Sequence, residues 1–262
     1  MSHTPRKRFG QNFLRDESVI ASIARAVGPA EDDHLVEIGP GEGALTEALV
    51  AGDCQLDAIE LDRDLRTRLL AAFSSYPRFT LHSADALTFD FNDLAASGEK
   101  LRVVGNLPYN ISTPLIFRLL DTASIIEDMH FMLQLEVVER LAATPGSKDW
   151  GRLGVMAQFQ CEVEQLFDVP PEAFYPPPKV QSAVVRLTPY SMSPFSDVDR
   201  ADLARIVTQA FSQRRKTLRN NFKGALNDAD WESLQIDPKA RAETLTINDF
   251  IAITHRLSQA TH

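Results

Sequence analysis

An apolar run that ends in a glycine cluster and opens at once into a helix constrains this chain most. Leu35-Val36-Glu37-Ile38 has the length and apolarity of a buried strand. Gly39-Pro40-Gly41-Glu42-Gly43 follows without a spacer and leads into a helix predicted over Ala44 to Val50. Glycines there permit a sharp turn and let the backbone come close to a ligand. Two further apolar runs end in acids. Leu56 to Ile59 stops at Glu60, whose two oxygens suit paired ribose hydroxyls, and Phe79 to His82 leads to Asp85, which is placed to accept from an adenine amine.

Strand and helix patterns alternate from about Asp33 to Ala143, which predicts a parallel sheet covered on both faces. Leu101 to Val104 and Met129 to Leu135 complete five strands. Leu153 to Val163 and Val180 to Leu187 are expected as a final pair, joined by a stiff extended connection, Tyr175 to Lys179. Thr188 to Asp199, with two prolines and three serines, reads as a linker before a small helical domain. The expected domains are 1–190, including a basic arm over 1–15, and 191–262.

The segment Asn106-Leu107-Pro108-Tyr109, followed by Asn110-Ile111-Ser112, leaves the fourth of these strands, and ligands bind beyond the carboxyl ends of strands in such sheets. The Asn106 side-chain oxygen and the Leu107 carbonyl can both accept from an exocyclic amine. Pro108 fixes the turn, and Tyr109 offers a flat face to a base. The plainer reading is a turn before a helix capped by Thr113, with Pro114 at the first helical position.

Gly39, Gly41 and Ala44 also satisfy the dinucleotide pattern, with Glu60 near the distance for a ribose ligand, so a nicotinamide-dependent oxidoreductase stays open on those residues. Asn106 to Tyr109 finds a natural use only where an amine is alkylated. The cofactor inferred is S-adenosylmethionine.

Taken together, Glu37 to Gly43, Asn106 to Ser112, and Phe174-Tyr175-Pro176-Pro177-Pro178-Lys179-Val180 resemble the KsgA/RsmA family of small-subunit rRNA adenine dimethyltransferases. Lys7-Arg8-Phe9-Gly10-Gln11-Asn12-Phe13-Leu14 is similar to that family's opening motif, and Ala210 to Asn220 to its second-domain helix. Related enzymes that act on large-subunit rRNA share the cofactor motifs, but Arg214 to Asn220 and the triple proline favour the first family. The resemblance implies a Rossmann-like class I methyltransferase domain with a mostly parallel seven-stranded sheet, followed by a small all-helical rRNA-binding domain.

The same resemblance implies dimethylation, at N6, of two adjacent adenosines in a hairpin loop near the 3′ end of small-subunit (16S) rRNA, on a partly assembled subunit. Asn106, Leu107, Pro108, Tyr109 and Phe174 would act on the base, with Tyr175 the second choice for stacking. Asn12, Leu14, Gly39, Gly41, Glu60, Asp85 and Asn106 would hold the cofactor. By residue type alone, Phe174 before three prolines is a core anchor, and Leu14 a packing residue. A different role, as an assembly checkpoint that binds the immature subunit and is released by methylation, is compatible with the same residues.

The formal charge of −9 opposes binding to a phosphate backbone unless the charge is uneven. Uneven it is. Residues 1–15 carry Arg6, Lys7, Arg8 and Arg15 without an acid, and residues 211–227 carry Arg214, Arg215, Lys216, Arg219 and Lys223, again without one. Removing those nine from 27 basic residues leaves 18 against 36 acids. Val207, Phe211, Leu218 and Phe222 have helical spacing, which predicts one helix with Lys216, Arg219 and Lys223 on a face beside the apolar stripe. Those clusters are the expected RNA contacts.

The remaining composition, 44% hydrophobic and 24% charged, is ordinary for a globular protein. No apolar run approaches the length of a membrane span, and the basic start lacks the apolar stretch of a signal peptide, so a cytoplasmic monomer is expected. Cys54 and Cys161 lack metal-ligand spacing and read as small buried residues, and no metal site is expected among six scattered histidines.

Overall fold

The computed structural model describes residues 11–95 and 98–259. The basic residues Arg6, Lys7 and Arg8 lie outside the described residues. The chain divides into two compact units, one comprising residues up to Val138 with Glu162–Pro189, the other Glu139–Cys161 with Tyr190 onward. The expected division fell at 190/191. The compact units divide at 189/190 and also at 138/139 and 161/162.

In the first unit, a short strand β1 (Phe13–Leu14) precedes helix α1 (Glu17–Val27). The Asp16 side chain caps α1 by accepting from the amides of Ser18 and Val19, and Gly28 ends it in the left-handed region at φ 58°. There follow β2 (His34–Ile38), α2 (Ala44–Val50), β3 (Gln55–Ile59), α3 (Arg63–Phe73), β4 (Phe79–His82), β5 (Leu101–Asn106), α4 (Ser112–Asp121), β6 (Ile126–Gln134) and α5 (Leu135–Leu141). Beyond α6 (Arg152–Gln160) come β7 (Cys161–Val169), β8 (Phe174–Tyr175) and β9 (Ser182–Pro189). α4 starts at Ser112 with Ile111 at the cap position and no side-chain cap, so Pro114 sits two residues further in than the turn reading placed it.

Seven strands form one sheet in the order β4-β3-β2-β5-β6-β9-β7. The pairs β2 with β3, β2 with β5, β3 with β4 and β5 with β6 are parallel, and β9 runs antiparallel to β6. The mostly parallel, seven-stranded α/β fold expected from the sequence is thus present. The chain reverses its direction of winding between β2 and β5, so a crevice opens at their carboxyl ends, beside Gly39 and Asn106. β1 and β8 form a separate two-stranded sheet, pairing Phe13 with Tyr175 and Leu14 with Phe174.

One strand expectation needs correcting. Most of Leu153 to Val163 is the helix α6, and the strand β7 starts at Cys161. Gly154, Val155, Met156 and Ala157 are all buried, and a run buried on every side fits an enclosed helix as well as a central strand. β7 itself is masked by Glu162, Glu164, Gln165 and Asp168, charges and amides of the kind that blunt a sheet edge.

The second unit adds α7 (Arg200–Ala210), α8 (Leu218–Asn221), α9 (Asp228–Leu234) and α10 (Ile247–Gln259) to α6. The Trp150 indole donates to the Leu245 carbonyl at 2.8 Å, Phe211 packs on Phe250, and Phe222 meets Trp231 edge-on. Asn227 and Asp230 form a capping box at the start of α9. Residues 190–199 are mostly exposed but anchored: Phe195 stacks on Phe159 at 5.8 Å, and the Tyr190 amide donates to the Gln160 carbonyl.

The single helix expected through Val207, Phe211, Leu218 and Phe222 is two. α7 stops at Ala210, turns carry the chain over 211–216, and α8 restarts after Thr217. The helical spacing was coincidental, because Ser212 to Lys216 supplies five polar residues with nothing to bury. Val207, Leu218 and Phe222 are nonetheless fully buried, so packing fixes their positions. Cys54 and Cys161 are buried free thiols, and among the described residues no helix is long and apolar enough to cross a membrane.

Candidate active site

The carboxyl ends of β2, β3, β4 and β5 line a cavity of about 280 Å³. The turn after β2 forms its glycine wall. Gly39, Gly41 and Gly43 have φ of 67°, 62° and 88°, which residues with a Cβ rarely adopt. A Cβ on Gly39 would meet nothing within 4 Å, so this backbone faces open space; one on Gly41 would press on the Phe13 ring at 3.1 Å. Gly39 therefore leaves room for a ligand, while Gly41 leaves room for the β1 strand that roofs the turn.

Glu60, at the end of β3, is buried. Its Oε1 accepts from the Asp62 amide at 2.8 Å and its Oε2 from the Gly41 amide at 3.3 Å. Burial pushes its pKa up, opposed by those amide bonds. Each oxygen keeps a lone pair for a hydroxyl donor. After β4, Asp85 holds the Leu87 amide on Oδ1 at 2.9 Å, leaving Oδ2 to accept from an amine. Both acids line the cavity, as does Leu61, half exposed beside Glu60 and suited to cover a planar ring.

The end of β5 supplies the reacting edge. Gly105 lies so close to β2 that a Cβ would stand 2.5 Å from the Ile38 carbonyl oxygen. Asn106, next in the strand, donates its side-chain amide to the backbone carbonyl of Asn12 at 3.0 Å. That bond commits the NH₂ end of the amide and turns Oδ1 outward as an acceptor. The Tyr109 hydroxyl is hydrogen-bonded to Ser182 at 2.8 Å, Ser182 being fully buried on β9, and burial raises the pKa of the phenol. His130 lies buried beside the cavity, and burial holds its pKa below the usual value, leaving a neutral ring.

The structure brings together most of the residues singled out in the sequence. Asn12, Leu14, Gly39, Gly41, Glu60, Asp85, Asn106, Leu107, Pro108 and Tyr109 all line the cavity. Phe174 does not. It is 4% exposed and packs in the core with Leu14, Ile23 and Met132, whereas its neighbour Tyr175 is 52% exposed.

The singled-out basic residues Arg214, Arg215, Lys216, Arg219 and Lys223 are all exposed. Arg214 reaches the Lys148 carbonyl and lies 3.7 Å from Glu243, and Arg219 pairs with Asp228 at 2.6 Å. Arg215, Lys216 and Lys223 make no ion pair with any described residue.

Two polar groups escaped the sequence reading: Glu37, which lines the cavity, and Ser182, which does not line it but holds Tyr109. Glu37 is buried in β2, accepts the Thr46 hydroxyl at 2.6 Å and has its pKa lifted to about 7, chiefly by burial. An acid inside an apolar strand was the available signal. Ser182 gave none, because its partner lies 73 residues away.

The carboxylates and the open glycine turn fit S-adenosylmethionine: acceptors for ribose hydroxyls and an adenine amine, apolar cover for a ring, and no cation to repel a sulfonium among the polar groups just described. The sequence matches the family described as ribosomal RNA adenine dimethylase over residues 2–259. It is 58% identical over 257 residues to the ribosomal RNA small subunit methyltransferase A of Pseudomonas aeruginosa, spanning 98% of this chain and 96% of that one. The protein of the same name from Chromohalobacter salexigens is 56% identical, with 98% and 93% covered.

Among solved structures, a dimethyladenosine transferase from Plasmodium falciparum shares the fold with a TM-score of 0.80 at 24% identity, covering 95% of this chain and 98% of its own. The 23S rRNA methyltransferase ErmE follows at 0.74 and 27%, covering 95% and 100%. With the Asn106 loop and the glycine turn lining one cavity, and a chain so closely matched from end to end, this protein is a member of the ribosomal RNA adenine dimethylase family.

Proposed function

We propose that this protein dimethylates the N6 amine of adenosines in small-subunit (16S) rRNA, using S-adenosylmethionine. The target is taken to be two adjacent adenosines in a hairpin loop near the 3′ end, within a partly assembled subunit. The observation that carries the reading is the Asn106 amide, held by the Asn12 carbonyl so that its oxygen faces the cavity. The identity to small-subunit methyltransferases supports this over a large-subunit substrate, since the solved large-subunit enzyme is 27% identical against 58%.

Bound in the cavity, S-adenosylmethionine supplies an electrophilic methyl group on a good leaving group. The protein's part is alignment and electrostatics. Asn106 Oδ1 and the Leu107 carbonyl accept from the two N6 hydrogens, which turns the nitrogen lone pair toward the cofactor side. Pro108 keeps that turn stiff, and Tyr109, tethered through Ser182, gives the adenine ring a fixed wall. Glu60 holds the ribose hydroxyls and Asp85 the cofactor's adenine amine, while Asn12 and Leu14 close the cavity from above. As the new N–C bond forms and the S–C bond breaks, the amine's surplus proton leaves to solvent. The monomethylated product still has a lone pair and one hydrogen, so the same acceptors serve a second transfer.

Phe174 takes part in this reading as the buried support beneath the loop. Binding to RNA falls to Arg214, Arg215, Lys216, Arg219 and Lys223, with Arg6, Lys7 and Arg8 as a second cluster.

The test is nucleoside mass spectrometry on unmethylated small subunits incubated with S-adenosylmethionine and either the intact protein or Asn106→Ala. The expected result is N6-dimethyladenosine with the intact protein alone. Its absence on a substrate that a known dimethylase modifies would overturn the reading.

A further inference from the structure

We propose that Tyr175, with the Arg15 guanidinium over its ring, is a stacking platform for the RNA nucleotide next to the methylated adenosine. The inference rests on the function just proposed and gives it a second base contact. Tyr175 is one of few large apolar side chains left half exposed. It is displayed from a strand: β8 pairs with β1 so that Tyr175 stands opposite Phe13, and Phe13 is buried against Gly41. The ring is therefore presented by rigid backbone, at the cost of leaving apolar surface in water, which calls for a partner.

Its surroundings select the chemistry of that partner. The Arg15 guanidinium lies over the ring, 4.5 Å from its centroid, and Tyr175 keeps about half its surface exposed. Arg15 also reaches Glu42 at 3.3 Å, which Arg68 approaches at 3.6 Å. Lys179 is exposed and makes no ion pair with any described residue. Pro176, Pro177 and Pro178 lie between and carry no N–H groups. An exposed aromatic ring under an arginine, with a lysine four residues further along the chain, has the elements that bind single-stranded nucleic acid without reading its bases.

Position ties the platform to the reacting site. Asn12 holds Asn106 through its carbonyl, Phe13 follows Asn12, and Tyr175 faces Phe13 across the strand pair. That path places Tyr175 on the order of 10 Å from the Asn106 backbone, the reach of a neighbouring nucleotide. Tyr175 therefore holds the strand while Asn106 and Tyr109 hold the target base.

The experiment compares Tyr175→Ala, Tyr175→Leu and Tyr175→Phe in methyl transfer to unmethylated small subunits, with titration of S-adenosylmethionine as a separate readout. Stacking worth about 1–3 kcal/mol predicts a KM for the subunit raised roughly 5- to 150-fold in Tyr175→Ala, with kcat and cofactor affinity changed less than about threefold. Tyr175→Phe restores the KM, and Tyr175→Leu, which keeps bulk but has no π-face, does not. Restoration by leucine, or a KM within about twofold of the parent in Tyr175→Ala, would overturn the platform while leaving the methyltransferase reading intact. No transfer by the parent protein to competent subunits would overturn both.

Discussion

Asn106 and Asn12, 94 residues apart, are joined by one hydrogen bond of 3.0 Å from the side-chain amide of the first to the backbone carbonyl of the second. The bond uses up the donor end of the amide and leaves its acceptor end for substrate. Asn106→Ala removes that acceptor, and kcat is expected to fall about 100-fold or more, the usual cost of losing one preorganised polar group at a reacting centre. Asn106→Asp sets a carboxylate against the Asn12 carbonyl. Its activity should be lower still near pH 8 and recover in part toward pH 5, where a protonated acid again donates to that carbonyl. Single-turnover transfer measured across that range checks both.

Tyr109 and Ser182 form a second pair, at 2.8 Å, with the serine fully buried. Ser182→Ala leaves the phenol without its partner and should cost about 1–2 kcal/mol of stability. Tyr109→Phe in the same protein removes the orphaned group, so the double variant should be more stable than the sum of the two single changes implies, by about 1 kcal/mol. A urea-unfolding double-mutant cycle reads this coupling, and additivity would show the bond to be inert.

Gly105→Ala tests the closeness of β5 to β2. The added methyl would stand 2.5 Å from the Ile38 carbonyl oxygen, a backbone atom that cannot swing aside. Destabilisation of about 2–3 kcal/mol is expected, with loss of transfer as Asn106 shifts. The fall in urea midpoint and the methyl-transfer rate measure the two parts.

Glu37 predicts a pH dependence. Burial lifts its carboxyl from 4.5 to about 7; the Thr46 hydroxyl opposes the rise and the charge of Glu60 adds to it. Below pH 4.5 the group is neutral folded or unfolded and costs nothing. Between 4.5 and about 7 the unfolded chain gives up its proton first, so stability falls as pH rises, by about 3 kcal/mol in all. Glu37→Gln keeps an acceptor for Thr46 and removes that slope. Without cofactor, the parent's Tm should drop by about 5–10 °C more than the variant's between pH 5 and pH 8, read by thermal denaturation.

How much of this was legible in the sequence depended on the kind of signal. α2 and β4 were bounded correctly to the residue, α2 because a glycine turn opens it and β4 because Phe79 and Leu81 alternate with polar residues. The acids Glu60 and Asp85 were found because each follows a strand run. α6 and β7 were confused because a buried helix and a buried strand are equally apolar, while an edge strand is as polar as a loop. The single helix through Phe211 and Leu218 failed for the opposite reason: spacing suggested continuity where five polar residues had nothing to pack on. The Asn12 carbonyl left no trace at all, since a main-chain acceptor is the same in every residue type.

The small sheet of β1 and β8 also has a consequence for the order in which the site is made. A ribosome synthesising this chain releases Asn106 well before Phe174 and Tyr175, the residues that hold the strand beside Asn12. Until that later strand arrives, the β1 and β8 pair beside Asn12 is incomplete. The site is thus assembled from segments of the chain made early and late, and its last structural part comes with residues 174 and 175.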